Sequence, residues 1–167
     1  MKNKTILPFC VVLILFLFYS MAFSGERPKG FRGLTWGTHI SKVQGLTLVA
    51  EPGEGIKTYR RLSDKLEIGK GKVDGIVYVF KNQKLISVIL FCKDYGQYLN
   101  LRSVFLDIYG PPDRVEDNKR IGIIEYYWYA KKDDEANVKL KWIEWTGFSE
   151  GFAVMNWKGA LKKGIGL

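Results

Sequence analysis

Glu125 and Glu144 are the carboxylates placed where an acid needs a reason, each inside an aromatic-rich, strand-like run of a 167-residue chain. Were those strands to pair so that both acids faced one cleft, the two could serve as the acid and base of a glycoside hydrolase. Lys139 and Lys141 lie on the same stretch, and a cross-strand ion pair with either glutamate is the preferred expectation. His39 is the single histidine. With no second histidine, nearby cysteine or clustered carboxylates, no zinc or haem ligand set can be assembled by spacing, and His39 is expected at an exposed helix start. Ser41, Ser63, Ser87, Ser103 and Ser149 sit in no Gly-x-Ser-x-Gly elbow. No catalytic residue, metal ligand or cofactor is assigned from the sequence.

The stronger signal is aromatic. Tyr126, Tyr127, Trp128, Tyr129, Trp142, Trp145, Phe148, Phe152 and Trp157 fall within 32 residues. In a strand, Tyr126 and Trp128 point one way and Tyr127 and Tyr129 the other. Rings on one face fill a core; a second ring row, around Tyr127, Tyr129 and Trp145, is expected to bind a protein or glycan partner. Arg60, Arg61, Lys65, Lys162 and Lys163 form a further candidate set, for an anionic lipid surface.

The elements that would position these residues alternate between the two periodicities. Thr38 is a fair N-cap for a short helix over 40–44, ended by Gly45. Residues 46–50 and 57–62 read as strands around a turn at 51–55. Residues 73–80 and 85–92 read as a hairpin about 81–84, and apolar side chains on both faces of each run mark them as central strands. Asp94 with Gln97 three positions on predicts a helix N-terminus, and Tyr98, Leu101, Phe105 and Ile108 continue it to Tyr109. Gly110-Pro111-Pro112 stops it. A meander follows, with strands at 121–130, 138–143 and 152–157 and a frayed basic tail over 158–167. The order predicts one α+β domain over 25–167: an antiparallel sheet of about six to eight strands, with one short and one longer helix on one face.

Residues 1–24 read as a secretory signal peptide. Lys2 and Lys4 precede an uncharged apolar run from Ile6 to Phe18, and Ala22 and Ser24 are the small residues a signal peptidase admits before Gly25. The alternative is an N-terminal anchor, since 6–23 is uncharged and near bilayer-spanning length. Either arrangement puts the domain outside the cytoplasm, in the periplasm or secreted. Without Lys2 and Lys4 the chain carries 24 basic and 17 acidic residues, a charge of +7. An exported chain meets little nucleic acid, so none is expected as partner; lipid head groups, glycans and acidic proteins are the remaining anions. Cys10 leaves with the leader, so Cys92 can form no intramolecular disulfide and is expected to be buried. No feature of the sequence sets the oligomeric state.

Two signatures, Phe31-x-Gly33-x-x-Trp36-Gly37-Thr38 and Tyr109-Gly110-Pro111-Pro112, resemble those of small uncharacterised exported proteins of bacteria, mostly domains of unknown function. The resemblance implies an envelope location and a small α+β domain, and no reaction. The helix, strand and Gly-Pro pattern is similar, more distantly, to SmpA/OmlA-type assembly lipoproteins and to the β-lactamase inhibitor protein fold, both interaction modules. The chain departs from the former in lacking a lipid-attachment cysteine.

Overall fold

The computed structural model describes residues 25–145 and 148–162; the leader read at 1–24 lies outside them. The first half runs β1 (Gly30–Phe31), β2 (Leu34–Thr35), a 3-10 turn (Ile40–Lys42), β3 (Leu46–Gly53), β4 (Ile56–Arg61), β5 (Glu67–Ile68), β6 (Gly71–Lys72), β7 (Gly75–Lys81) and β8 (Lys84–Cys92). Helix α1 (Tyr95–Tyr109) follows, then β9 (Arg114–Asn118), β10 (Ile123–Trp128), β11 (Ala136–Trp145), β12 (Phe148–Trp157) and α2 (Lys158–Lys162). The main sheet has eight strands in the order β3-β4-β7-β8-β12-β11-β10-β9, paired antiparallel throughout. The architecture is α+β.

After β8 the chain travels along α1 to the far edge of the sheet, and three hairpin steps return β12 to pair with β8. Asp94 caps α1, its Oδ1 accepting from the Gln97 amide at 2.8 Å, and the Gln97 side chain accepts in turn from the Lys93 amide at 3.3 Å. Gly110 ends it at φ 73°, a left-handed turn that a side chain would strain, with its amide donating to the Leu106 carbonyl. Helix α1 buries Tyr98, Leu101, Val104, Phe105 and Tyr109. The Phe105 and Tyr109 rings stand 5.9 and 6.3 Å from that of Trp128 on β10. Burying each large apolar side chain contributes about 1.5–3 kcal/mol, so this contact fixes which face of the sheet is covered. The expected hairpin of two central strands is present, turning at Asn82 and Gln83 with φ 48° and 65°, the backbone sense that matches strand twist.

Two local expectations are corrected, and one strand is added. The short helix is one 3-10 turn capped by His39, whose Nδ1 accepts from the Ser41 amide at 3.3 Å, because the Thr38 hydroxyl is engaged by the Thr35 carbonyl at 2.7 Å. Residues 158–162 are no frayed tail. They form α2, held where the Lys158 amide donates to the Glu135 carbonyl at 3.0 Å and its Nζ to the Ala130 carbonyl at 3.2 Å, with Ala160 buried. Strand β9 was not expected: as an edge strand it leaves most of its side chains in solvent and needs no apolar alternation. No helix among the described residues is long and apolar enough to cross a membrane.

Candidate functional site

Register places Glu125 opposite Lys141 and Tyr127 opposite Lys139 on the face away from α1, with Ile124 opposite Trp142 on the helix side. The Glu125 carboxylate is held at 3.5 Å by Lys139 and at 3.3 Å by Lys141. Burial alone would raise its pKa, but the Lys141 charge, a hydrogen bond from Tyr127 and the Lys139 charge outweigh it and hold it below the usual glutamate range. The Tyr127 hydroxyl is pushed up to about 12 by burial and by its hydrogen bonds to Glu125 and Glu116. Arg114 pairs with Glu116 and, across the ladder, sits opposite Tyr127, its guanidinium 5.9 Å from that ring. Lys139 Nζ stands 6.0 Å from the same ring on its other strand neighbour.

Beside this charge network the Tyr127 and Tyr129 rings lie 6.1 Å apart and within 19° of parallel. Tyr129 is 43% exposed. Asp113 accepts from the Tyr129 amide at 2.7 Å and from Arg27 at 2.8 Å. Arg27, itself 3% exposed, also donates to the carbonyls of Tyr109 at 2.8 Å and Tyr129 at 3.2 Å, tying the end of α1 to the end of β10. Burial raises the pKa of Asp113, but the Tyr129 amide and Arg27 outweigh it and hold it below the usual range. The Trp145 side chain lies outside the described residues.

Glu125 and Glu144 are not brought together. By strand alternation Glu144, two residues beyond Trp142, belongs to the side that carries α1, and Glu125 to the other. Arg60 and Arg61, as neighbours on β4, point to opposite faces. Arg61 lines a cleft of about 430 Å³ with Arg32, Asp64 and Lys65, where Arg32 reaches Asp64 at 3.3 Å and Tyr78 donates to Asp64 at 2.6 Å. Strands β4 and β10 are each second from opposite edges of the sheet, so the basic and aromatic candidates form separate groups. Lys163 and the side chain of Lys162 lie outside the described residues. Cys92 is buried and free, its thiol pushed up to about 12 by burial. His39 and Ser41 share a hydrogen bond of 2.8 Å.

Sequence reasoning missed a cluster beneath the first turns of α1. Tyr98 and Arg102, one helical turn apart, meet Tyr126 of β10 and Trp142 of β11. The Tyr98 and Trp142 rings are 5.3 Å apart, and the Arg102 guanidinium lies 4.8 Å from the Tyr126 ring centroid. Tyr95, half exposed, stacks on Tyr98 at 5.8 Å and leans on Trp142 at 5.1 Å. Among the described residues, the Tyr98 hydroxyl, Arg102 Nε and Trp142 Nε1 are all buried without a hydrogen-bond partner, each at a cost of about 1–3 kcal/mol. Burial raises the Tyr98 pKa, and Arg102 partly offsets it. Gly151 makes room: a Cβ there would stand 2.8 Å from a Trp142 ring carbon and 3.2 Å from one of Tyr98. The helical spacing of Tyr98 and Arg102 was visible in the sequence; which strands they would land on was not.

No family model and no curated protein matches the chain. Among solved structures it is similar to the crystal structure of a DUF4309 family protein (YjgB) from Bacillus subtilis, with 18% identity and a TM-score of 0.41, over 84% of this chain and 93% of that one. A likeness at that level assigns neither family nor activity to the chain.

Proposed function

We propose that this is an exported envelope protein whose role is binding, and that it takes a glycan on the strand face opposite α1. The observation that carries the reading is the Tyr127–Tyr129 pair, two near-parallel rings flanked by Arg114 and Lys139. A pyranose presents one face of C–H groups that packs on flat rings, and the neighbouring charged groups supply hydrogen bonds to its hydroxyls. The paired charges around Glu125 hold the platform in one arrangement before a ligand arrives, which lowers the ordering cost of binding. Export rests on the leader pattern of Lys2, Lys4, the apolar run and Ala22 with Ser24.

Affinity electrophoresis of the full chain through gels containing soluble envelope polysaccharides tests the reading. Retardation by at least one polysaccharide is expected, with the Tyr127→Ala, Tyr129→Ala double variant migrating as in an empty gel. A wild type that is never retarded, or a variant retarded as strongly as wild type, overturns it.

A further inference from the structure

We propose that the cluster beneath α1 is a second binding site, for a small carboxylate borne on a flat ring, with Tyr95 as the side chain that gives way to admit it. The inference is independent of the glycan reading, since these residues lie on the other face of the sheet.

The chemistry of the unpartnered atoms selects the ligand's charged end. Trp142 Nε1 and Arg102 Nε can only donate, and the Tyr98 hydroxyl is free to donate as well. A carboxylate only accepts, so it can meet donors of this kind without leaving a donor of its own unpaired. Arg102 adds positive charge: it rests on the Tyr126 ring and makes no ion pair among the described residues. Tyr98 is 1% and Trp142 4% exposed, so their polar atoms have been taken from water and, among the described residues, given no partner in exchange. Native structures leave few such groups, and here three of the five among the described residues belong to one cluster.

The shape of the ligand's other end follows from what now covers the cluster. Tyr95 is the first residue of α1, 52% exposed, and no hydrogen bond holds its hydroxyl among the described residues. Its ring lies against those of Tyr98 and Trp142. A rotation about χ1 carries that ring into solvent on the fast timescale of exposed side chains, leaving a slot walled by the same two rings. An occupant with an aromatic ring restores the lost stacking, and its carboxylate reaches the donors that the phenol leaves unpaired.

Benzoate is the probe, with acetate as the charge lacking a ring and benzyl alcohol as the ring lacking a charge. The readout on the 15N-labelled full chain is the Trp142 indole N–H signal, identified by its loss in Trp142→Phe. Benzoate is expected to shift it saturably and acetate and benzyl alcohol at equal concentration are not. Arg102→Gln should weaken benzoate about tenfold or more, and Tyr95→Ala should tighten it, an effect that a merely structural tyrosine would not produce. Should Arg102→Gln fail to fold, Arg102→Lys, which keeps the charge and loses the Nε–H, should show the same weakening. The proposal is overturned if benzoate produces no saturable shift, if acetate matches it, if Tyr95→Ala binds no tighter, or if the Arg102 variants bind as wild type does.

Discussion

On one side of strand β10, Glu125 and Tyr127 stand in a network where Lys139, Lys141, Arg114 and Glu116 pair the charges. On the other, Tyr126 and Trp128 lie under α1 beside three buried donors that find no acceptor among the described residues. The difference follows from solvent. Near water a charge is cheap to hold, and paired neighbours mainly fix geometry. Under the helix the same strand has lost water as an alternative partner, so each unpaired donor stores a cost that only a new acceptor relieves. The open side is complete as it stands, and the covered side is short of acceptors.

The largest effect is expected where both sides are untied together. Arg27→Met removes the buried guanidinium that joins the end of α1 to the end of β10 and leaves the carbonyls of Tyr109 and Tyr129 without it. A loss of about 3 kcal/mol in urea unfolding is expected; a loss no greater than an ordinary surface substitution would show that the clamp carries little.

Glu125→Gln tests the open side. It leaves Lys139 and Lys141 facing one another and should cost roughly 1 kcal/mol near neutral pH, less at high salt. Its pH dependence has a definite sign. The folded-state pKa of Glu125 lies below its unfolded value near 4.5, so its contribution is present above that value and is lost as pH falls through the folded one. Wild-type and variant stabilities should therefore converge in acid, and a gap that stays constant from pH 7 to pH 3 would refute the assignment. The smallest effect sharpens the covered side. Tyr98→Phe deletes an unpartnered hydroxyl and keeps the ring, so stability should hold or rise by up to about 1 kcal/mol, where a satisfied buried tyrosine would lose that much.

Local chemistry made much of the fold legible. Asp94 and Gln97 announced the start of α1, and Gly110 with two prolines its end, because capping and chain stiffness act within a few residues. The alternation of Val138, Leu140 and Trp142 with lysines marked which side of β11 is buried, and the same alternation separated Tyr127 and Tyr129 from Tyr126 and Trp128. Strand β9 was invisible because an edge strand in solvent has no periodic apolar requirement. The 158–162 helix was missed because a distant carbonyl, that of Glu135, holds it.

Residue periodicity and local hydrogen bonding suffice for the α+β class, the hairpins, the long helix and the two-sided aromatic strand. Only long-range pairing fixed the return of β12 to β8, and with it the path of α1 across β8, β12 and β11 as far as Trp128 of β10. That placement brings Tyr98, Arg102 and Trp142 together, while alternation along the paired β10 and β11 puts Glu144 on the face opposite Glu125. Contacts between residues tens of positions apart depend on which strand pairs with which, and neighbouring apolar runs are too alike in pattern to specify one partner over another.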